Sequence, residues 1–394
     1  MSEPRAAGMT SALLISCGAW YLRETARALY SRSALAALWI SDKNSTQIPQ
    51  SLYRRCWPFH LCMKPFYHVA PQIVTERAFY AFFPVWKAWL ALQEIPHCNV
   101  VHAISGYGTE PFDQAERIGA LKVIDCPNSH PATFRGIWQR ECDRWCPGEK
   151  VPIPEWMFDR MNGELERADL ILCPSVFVRD TMTQNRIPDS KCLVTPFGVD
   201  LSIFKPRVGA PKKIRFVCIG TVCLRKGHQY LFRAWQTVRR ALPDAELICV
   251  GEYKSDFRLE RPKWDGTFTH IPWLAHSELA RLMTTCTAFV FPSQEEGFAR
   301  VQTEAMACAL PIIGTHEAGT TTMIEDGVEG FIVCGRDPEQ IAAAMIRLGQ
   351  DRDFNQRMGE AAYRKVATQS SWQQYGDRLL ENYAEAFRTR EIRI

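Results

Sequence analysis

Two glutamates stand eight positions apart in PSQEEGFARVQTEAMACALPII (292–313). Glu296 closes a loop just before Gly297, and Glu304 lies inside an apolar run that reads as a helix. An offset of eight on a period of 3.6 returns to about the same face, so both carboxylates can point to one side. A carboxylate among apolar neighbours is costly unless something pairs with it. Vicinal hydroxyls, as on a ribose or a hexose, are the natural partners for two carboxylates on one face. The backbone N–H groups of Phe298, Ala299 and Arg300 open the helix and suit a phosphate. The plainer alternative has Glu296 facing the helix dipole and Glu304 on the surface.

A second group of residues adds to the first. In IGTVCLRKGHQYLFRAW (219–235), Gly220 permits a close turn, Thr221 follows it, and Arg225 and Lys226 stand just before Gly227. Two cations beside free backbone N–H groups make a site for a diphosphate. A solvated basic turn is the alternative. Cations after one strand and glutamates after another describe together a nucleoside diphosphate with a sugar attached.

These residues need strands and helices to carry them. Apolar strand-like runs alternate with helical stretches along the whole chain, the pattern of βαβ units and parallel sheets. The first half offers 12–16, 34–41, 99–104, 122–126 and 169–174; the second offers 214–220, 245–251, 267–271, 288–292, 311–314 and 330–333. Each half reads as a doubly wound, Rossmann-like domain, with a junction in VDLSIFKPRVGAPKKIRF (199–216). We expect an acceptor-binding domain over 1–207, a donor-binding domain over 208–370, and an amphipathic helix over 371–394 that crosses back toward the first domain. Ligands of open α/β sheets bind beyond the carboxyl ends of the strands. The unusual residues fall after strands and before helices, hence in a cleft between the two halves.

The block EGFARVQTEAMACALP resembles the family 4 retaining glycosyltransferases of GT-B fold, whose hallmark is two glutamates at this spacing in an EGFG…EAMA setting. The RKG turn, PFGVDLSIFKP (196–206) and IEDGVEGFIV (324–333) resemble that family too, and the likeness covers most of 165–370. It implies an α/β GT-B fold and transfer of a hexose from a nucleotide sugar to a hydroxyl with retained configuration. It implies that Glu296 contacts the donor sugar, Glu304 the ribose hydroxyls and Lys226 the diphosphate. Thr221 stands where the family often has arginine, which leaves Arg225 to supply that charge. Ala299 and Ala309 replace two usual glycines. The rivals are another nucleotide-sugar enzyme of this architecture, such as an epimerase, and a subunit that binds nucleotide sugar without turnover.

In the first half, CGAWYLRETARAL (17–29) lacks G-x-G-x-x-G, which weakens a nicotinamide reading. Gly18 there could turn its backbone to the bound sugar. The family's first domain often places a histidine near the donor sugar. His102 and His130 are the candidates, and His130 is favoured because Asp125, Asn128 and Ser129 surround it in sequence. The stretches 54–71 and 79–89 interleave aromatic and basic residues. They suit a membrane interface or a lipid-linked acceptor, or equally a helix packed on the sheet.

The bulk composition narrows the class. The chain has 394 residues, enough for two domains, and is 46% hydrophobic and 23% charged, ordinary for a globular protein. Its 47 basic and 43 acidic residues leave a net charge of +4, too small an excess for a dedicated nucleic-acid binder. No signal peptide is read at the start, and 78–92, broken by Pro84 and Lys87, is too short to span a bilayer. The expectation is a cytoplasmic enzyme, with peripheral contact to the inner face of a membrane left open. The fifteen cysteines show no C-x-x-C, so neither disulfides nor a structural metal are expected. Asp351 and Asp353 form a D-x-D that reads as surface. No cofactor is expected beyond the nucleotide sugar as co-substrate, and no metal at the site.

Overall fold

The computed structural model describes residues 10–18, 21–43, 47–66 and 72–391. The chain forms two parallel sheets, each flanked by helices. The first contains β1 (Ala12–Ile15), β2 (Leu35–Ile40), β3 (Tyr53–Arg55), β4 (Val100–Ile104), β5 (Leu121–Asp125), β6 (Leu170–Cys173) and β7 (Cys192–Val194), in the order β3-β2-β1-β4-β5-β6-β7. The second contains β8 (Arg215–Ile219), β9 (Glu246–Val250), β10 (Thr269–Ile271), β11 (Ala288–Phe291), β12 (Ile312–Gly314) and β13 (Gly330–Ile332), in the order β10-β9-β8-β11-β12-β13. Helices cover both faces of such sheets, so their central strands are continuous apolar runs rather than alternating ones. ALLI in β1, VVHAI in β4 and AFVF in β11 are buried at every position.

The strand order reverses between β1 and β4 in one sheet and between β8 and β11 in the other. Crevices open at the carboxyl ends of strands that flank such a reversal. The loops leaving these four strands hold Gly18, residues 105–108, the RKG turn and SQEEGF, respectively. The topology therefore brings the two sequence constellations of the second half to one sheet end, facing the loops of the first half.

The edge strands β3 and β7, three residues each, are absent from the sequence expectation. Neither is long enough to show a period. β3 overlaps the start of the aromatic and basic stretch 54–71, and the helix Trp57–Met63 follows it; residues 67–71 lie outside the described residues. The aromatic run 79–89 belongs to the helix Gln72–Ala91, which buries Phe83, Trp86 and Leu90 in the core. That burial is the ordinary packing alternative. Among the described residues no helix is long and apolar enough to cross a membrane.

The chain crosses between the sheets twice, and the crossings run side by side. Val199 N–H donates to the Ser370 carbonyl at 2.8 Å, and Val199 and Ser371 form an isolated bridge. The helix Trp372–Glu391 then packs on the first sheet's side. Its Tyr375 hydroxyl lies 3.3 Å from Thr25 Oγ1, Arg32 pairs with Asp377 at 2.7 Å, and the Tyr383 hydroxyl meets His102 Nδ1 at 2.6 Å. All fifteen cysteines are free thiols, thirteen of them buried. Asp351 caps the helix Arg352–Gln369 by accepting from the Phe354 N–H, and both carboxylates of the D-x-D are exposed.

Candidate active site

The RKG turn and the SQEEGF loop are neighbours because β8 and β11 are paired. Gly227, at φ +76°, caps the helix His228–Ala241 at its amino end, and a side chain there would collide with the Pro292 carbonyl. Only glycine fits, so the turn lies flush against the strand end. Gln294 N–H donates to the Arg225 carbonyl at 2.8 Å, Ser293 Oγ donates to the Glu295 carbonyl at 2.9 Å, and Thr315 Oγ1 donates to the Ser293 carbonyl at 2.6 Å. Two loops that are distant in sequence are thus held as one surface.

Between this surface and the first domain lies a cleft of about 470 Å³. From the second domain it is lined among others by Gly220, Thr221, Arg225, Lys226, Glu296, Phe298, Ala299, Arg300 and Glu304. The sequence reading selected these residues, and the fold brings them together. Tyr21, Pro127, Asn128 and Phe197 close the other side. They come from three segments, with Pro127 and Asn128 adjacent on the loop after β5.

The charges are arranged more tightly than the sequence shows. The Lys226 ammonium is in direct contact with the Glu296 carboxylate, so two groups assigned to different parts of a donor face each other. Burial, with Arg225 beside it, pushes the Lys226 ammonium down to about 7. Glu304 is only 8% exposed, which removes the surface alternative. Burial pushes its carboxyl up, and Arg300, at 3.8 Å, opposes the shift. Among the described residues Glu304 accepts no hydrogen bond from a protein donor, so its oxygens remain available to a hydroxyl that enters the cleft.

Three of the expected residues make other contacts in this structure. Arg225 was expected to present its charge to a diphosphate. Its guanidinium donates instead to the Glu295 carbonyl and carboxylate, both at 2.7 Å, and lies over the Phe134 and Trp138 rings. His130 caps the helix Pro131–Trp145: its Nδ1 accepts from the Ala132 N–H at 3.2 Å, and burial pushes it down to about 4. It lines neither the cleft nor the cavity beside it. His102 is no substitute, since it is fully buried between Tyr383 and Asp125. Gly18 lies on the neighbouring cavity of the first domain, not on the cleft.

Glu295 is the residue that sequence reasoning passed over. It is fully buried, and besides Arg225 it accepts from Ser129 N–H at 3.0 Å and Ser129 Oγ at 2.9 Å. It therefore links the second domain's loop to the loop after β5. Beside it, a Cβ at Gly297 would collide with the Pro127 carbonyl. Two adjacent glutamates were visible in the sequence, but only the loop across the cleft distinguishes their tasks. On the far flank Glu141 accepts from Gln229, Tyr230 and Arg336 at 3.0, 2.9 and 2.8 Å, and Trp138 Nε1 donates to Asp256 at 3.0 Å. The two domains are thus held together on both sides of the cleft. Among the described residues no group of three histidine, cysteine, aspartate or glutamate side chains could hold a metal ion.

This architecture has known counterparts. Sucrose-phosphate synthase from Thermosynechococcus elongatus superposes with a TM-score of 0.70 at 16% identity, over 97% of this chain and 100% of that one. Anabaena HepE in complex with UDP and glucose superposes with a TM-score of 0.64 at 14% identity, over 95% and 99%. In sequence, the D-inositol 3-phosphate glycosyltransferase of Paenarthrobacter aurescens is 31% identical over 210 residues, 49% of this chain and 51% of that protein. The GDP-mannose-dependent alpha-(1-6)-phosphatidylinositol monomannoside mannosyltransferase of Mycolicibacterium smegmatis is 27% identical over 288 residues, 68% of this chain and 71% of that one. The chain thus spans about half the length of the first of these relatives and more of the second. Residues 213–351 match the family model Glycosyl transferases group 1. The matched stretch holds the RKG turn and both glutamates, so through its second domain this chain, on a GT-B fold, is similar to the group 1 glycosyltransferases.

Proposed function

We propose that the chain transfers a hexose from a nucleoside-diphosphate sugar to an acceptor hydroxyl, with retention at the anomeric carbon and with neither a metal nor a further cofactor. The observation that carries this is the Lys226–Glu296 pair at the mouth of a helix whose Glu304 has no protein hydrogen bond. In this reading the diphosphate takes Lys226 from Glu296, which turns to the sugar hydroxyls, while Glu304 accepts from the ribose. Arg225 acts at one remove, holding Glu295 and through it the loop that carries Glu296.

As the bond between C1 and the phosphate oxygen breaks, a further negative charge gathers on the departing diphosphate. Lys226 and the N–H groups at the start of the helix Arg300–Ala307 stabilise that charge. The acceptor oxygen bonds to C1 on the same face, and its proton passes to the departing phosphate oxygen. Atoms and charge balance without a nucleophile from the protein.

The test is release of nucleoside diphosphate from UDP- and GDP-hexoses, with and without acceptors, in excess EDTA. Nucleotide release and a glycoside with the donor's anomeric configuration are expected. A strict need for magnesium or manganese, or an inverted product, would overturn the corresponding part. Nucleotide-sugar binding with no turnover under any condition would instead identify a non-catalytic subunit.

A further inference from the structure

A separate cavity of about 460 Å³ lies in the first domain, roughly three times the ~150 Å³ that accommodates one benzene ring. Its wall comes from the carboxyl ends of β1, β2, β4 and β5 and from the four helices Gln72–Ala91, Pro131–Trp145, Glu155–Arg167 and Val176–Gln184. Pro127 and Asn128 line both this cavity and the nucleotide cleft, so one opens beside the other.

The chemistry of the wall decides what it can hold. Phe79, Tyr80, Phe134 and Phe158 present aromatic rings, and Met157 and Met161 add soft thioether surface. Among the described lining residues Asp42 is the only charged one, and it already faces Arg23 at 3.7 Å. Among the described residues no lysine or arginine lines the space, so a phosphorylated acceptor would be buried there without a counter-charge. A free hexose would lose hydration at every hydroxyl and find few partners. Four polar side chains remain available: the Asn128 amide and the Ser105, Tyr80 and Tyr107 hydroxyls make no side-chain hydrogen bond among the described residues. The wall is also rigid. Buried Glu164 accepts from the N–H groups of Gly106, Gly108 and Thr109 at 2.6, 2.8 and 3.0 Å, fixing the loop after β4.

The geometry points to an acceptor with an uncharged, apolar body of two or three rings, seated in this cavity with a hydroxyl at Asn128 facing the nucleotide cleft. That the bound molecule is an acceptor rests on the transferase reading above; that the cavity binds it does not. Calorimetry on the full chain without nucleotide, using 2-naphthol, 1-octanol, glucose and inositol 1-phosphate, tests it. We expect 2-naphthol to bind at least tenfold tighter than the other three. Met161→Trp, which fills the cavity, should weaken 2-naphthol at least tenfold and leave UDP and GDP binding as in the unsubstituted chain. Tighter binding of inositol phosphate or glucose overturns the inference, as does no binding by any of the four. Tighter octanol would replace the ring body with an acyl chain and overturn it equally. Should Met161→Trp fail to fold, the comparison among the four probes on the unsubstituted chain decides alone. Naphthol binding without any nucleotide binding would sink the transferase reading and uphold this site; the reverse would do the opposite.

Discussion

The cleft between the domains and the first-domain cavity are nearly equal in size, about 470 and 460 Å³, and opposite in chemistry. Around the cleft three cations, Arg225, Lys226 and Arg300, face the carboxylates of Glu295, Glu296 and Glu304, with the loops that carry them bonded to one another. Among the described residues the cavity is walled by rings and thioethers around a single charged side chain. A diphosphate demands fixed charge, and fixed charge in a buried place demands partners, so the cleft is built from short, dense motifs. An apolar body demands only shape and dryness, which many unrelated segments can supply jointly. Each region therefore answers to a different kind of perturbation.

The largest effect is expected from Lys226→Ala, which removes the ammonium nearest the leaving group. Loss of such a charge stabiliser in a sheltered site costs about 10²–10³ in turnover. Turnover should fall by more than the donor Michaelis constant rises, and steady-state kinetics with saturating donor checks the split. Near-normal turnover would mean that the diphosphate is held elsewhere.

Glu304→Ala should come next. A hydrogen bond to a charged acceptor is worth about 1.5–3 kcal/mol, so affinity for free nucleoside diphosphate should drop roughly tenfold or more. Calorimetry measures it, and binding of 2-naphthol in the first-domain cavity should be untouched. An unchanged nucleotide affinity would end the ribose assignment.

Gly297→Ala attacks the junction between the two regions, because its new methyl meets the Pro127 carbonyl. Overpacking of this kind costs about 1–3 kcal/mol. The domains should part slightly, lowering the melting temperature and depressing transfer more than nucleotide binding. Equal melting temperatures for the two proteins would show that the loops are free to separate.

A pH series sharpens the electrostatic half of the comparison. Lys226 is pushed down to about 7, so in the free protein its ammonium is lost as pH rises through that value, and a bound diphosphate must restore the proton. Affinity for nucleoside diphosphate should therefore fall between pH 7 and 9, by at most about tenfold per pH unit. Titration calorimetry in buffers of different ionisation heat should register the proton uptake. In Lys226→Ala both the slope and the uptake should vanish.

The smallest effect belongs to Ala309, which has φ +58°, in the left-handed region. A non-glycine residue there costs about 1 kcal/mol or slightly more. Ala309→Gly, restoring the residue that the family resemblance expects, should raise stability by about that much less the chain entropy glycine adds. Denaturant unfolding would measure it, and nucleotide affinity should not change.

Much of the cleft was legible in the sequence because its chemistry is local. Two glutamates at helical spacing and two cations before a glycine need only a strand–loop–helix unit to become a surface, and the apolar runs of β8 and β11 declared that unit. Glu295 was not legible, although it sits beside Glu296. Its task is set by Ser129, 166 positions away, and by the reversal of strand order that brings the loop after β5 against it. His130 was ambiguous for a related reason: a histidine after a strand can face a ligand or cap the next helix, and the bond from the Ala132 N–H becomes visible only in the tertiary structure.

What the sequence determined by itself was the alternation of strand and helix, the two domains, and the charged side chains that the fold gathers at the cleft. Those follow from periodicity, turn chemistry and the cost of burying charge, all of which act over a few residues. The pairing of Lys226 with Glu296, the diversion of Arg225 to Glu295, the return of the last helix to the first domain and the apolar cavity were decided by tertiary structure. Each depends on contacts between segments far apart in sequence, and such contacts are fixed only when both sheets have formed and their facing loops compete for the same space.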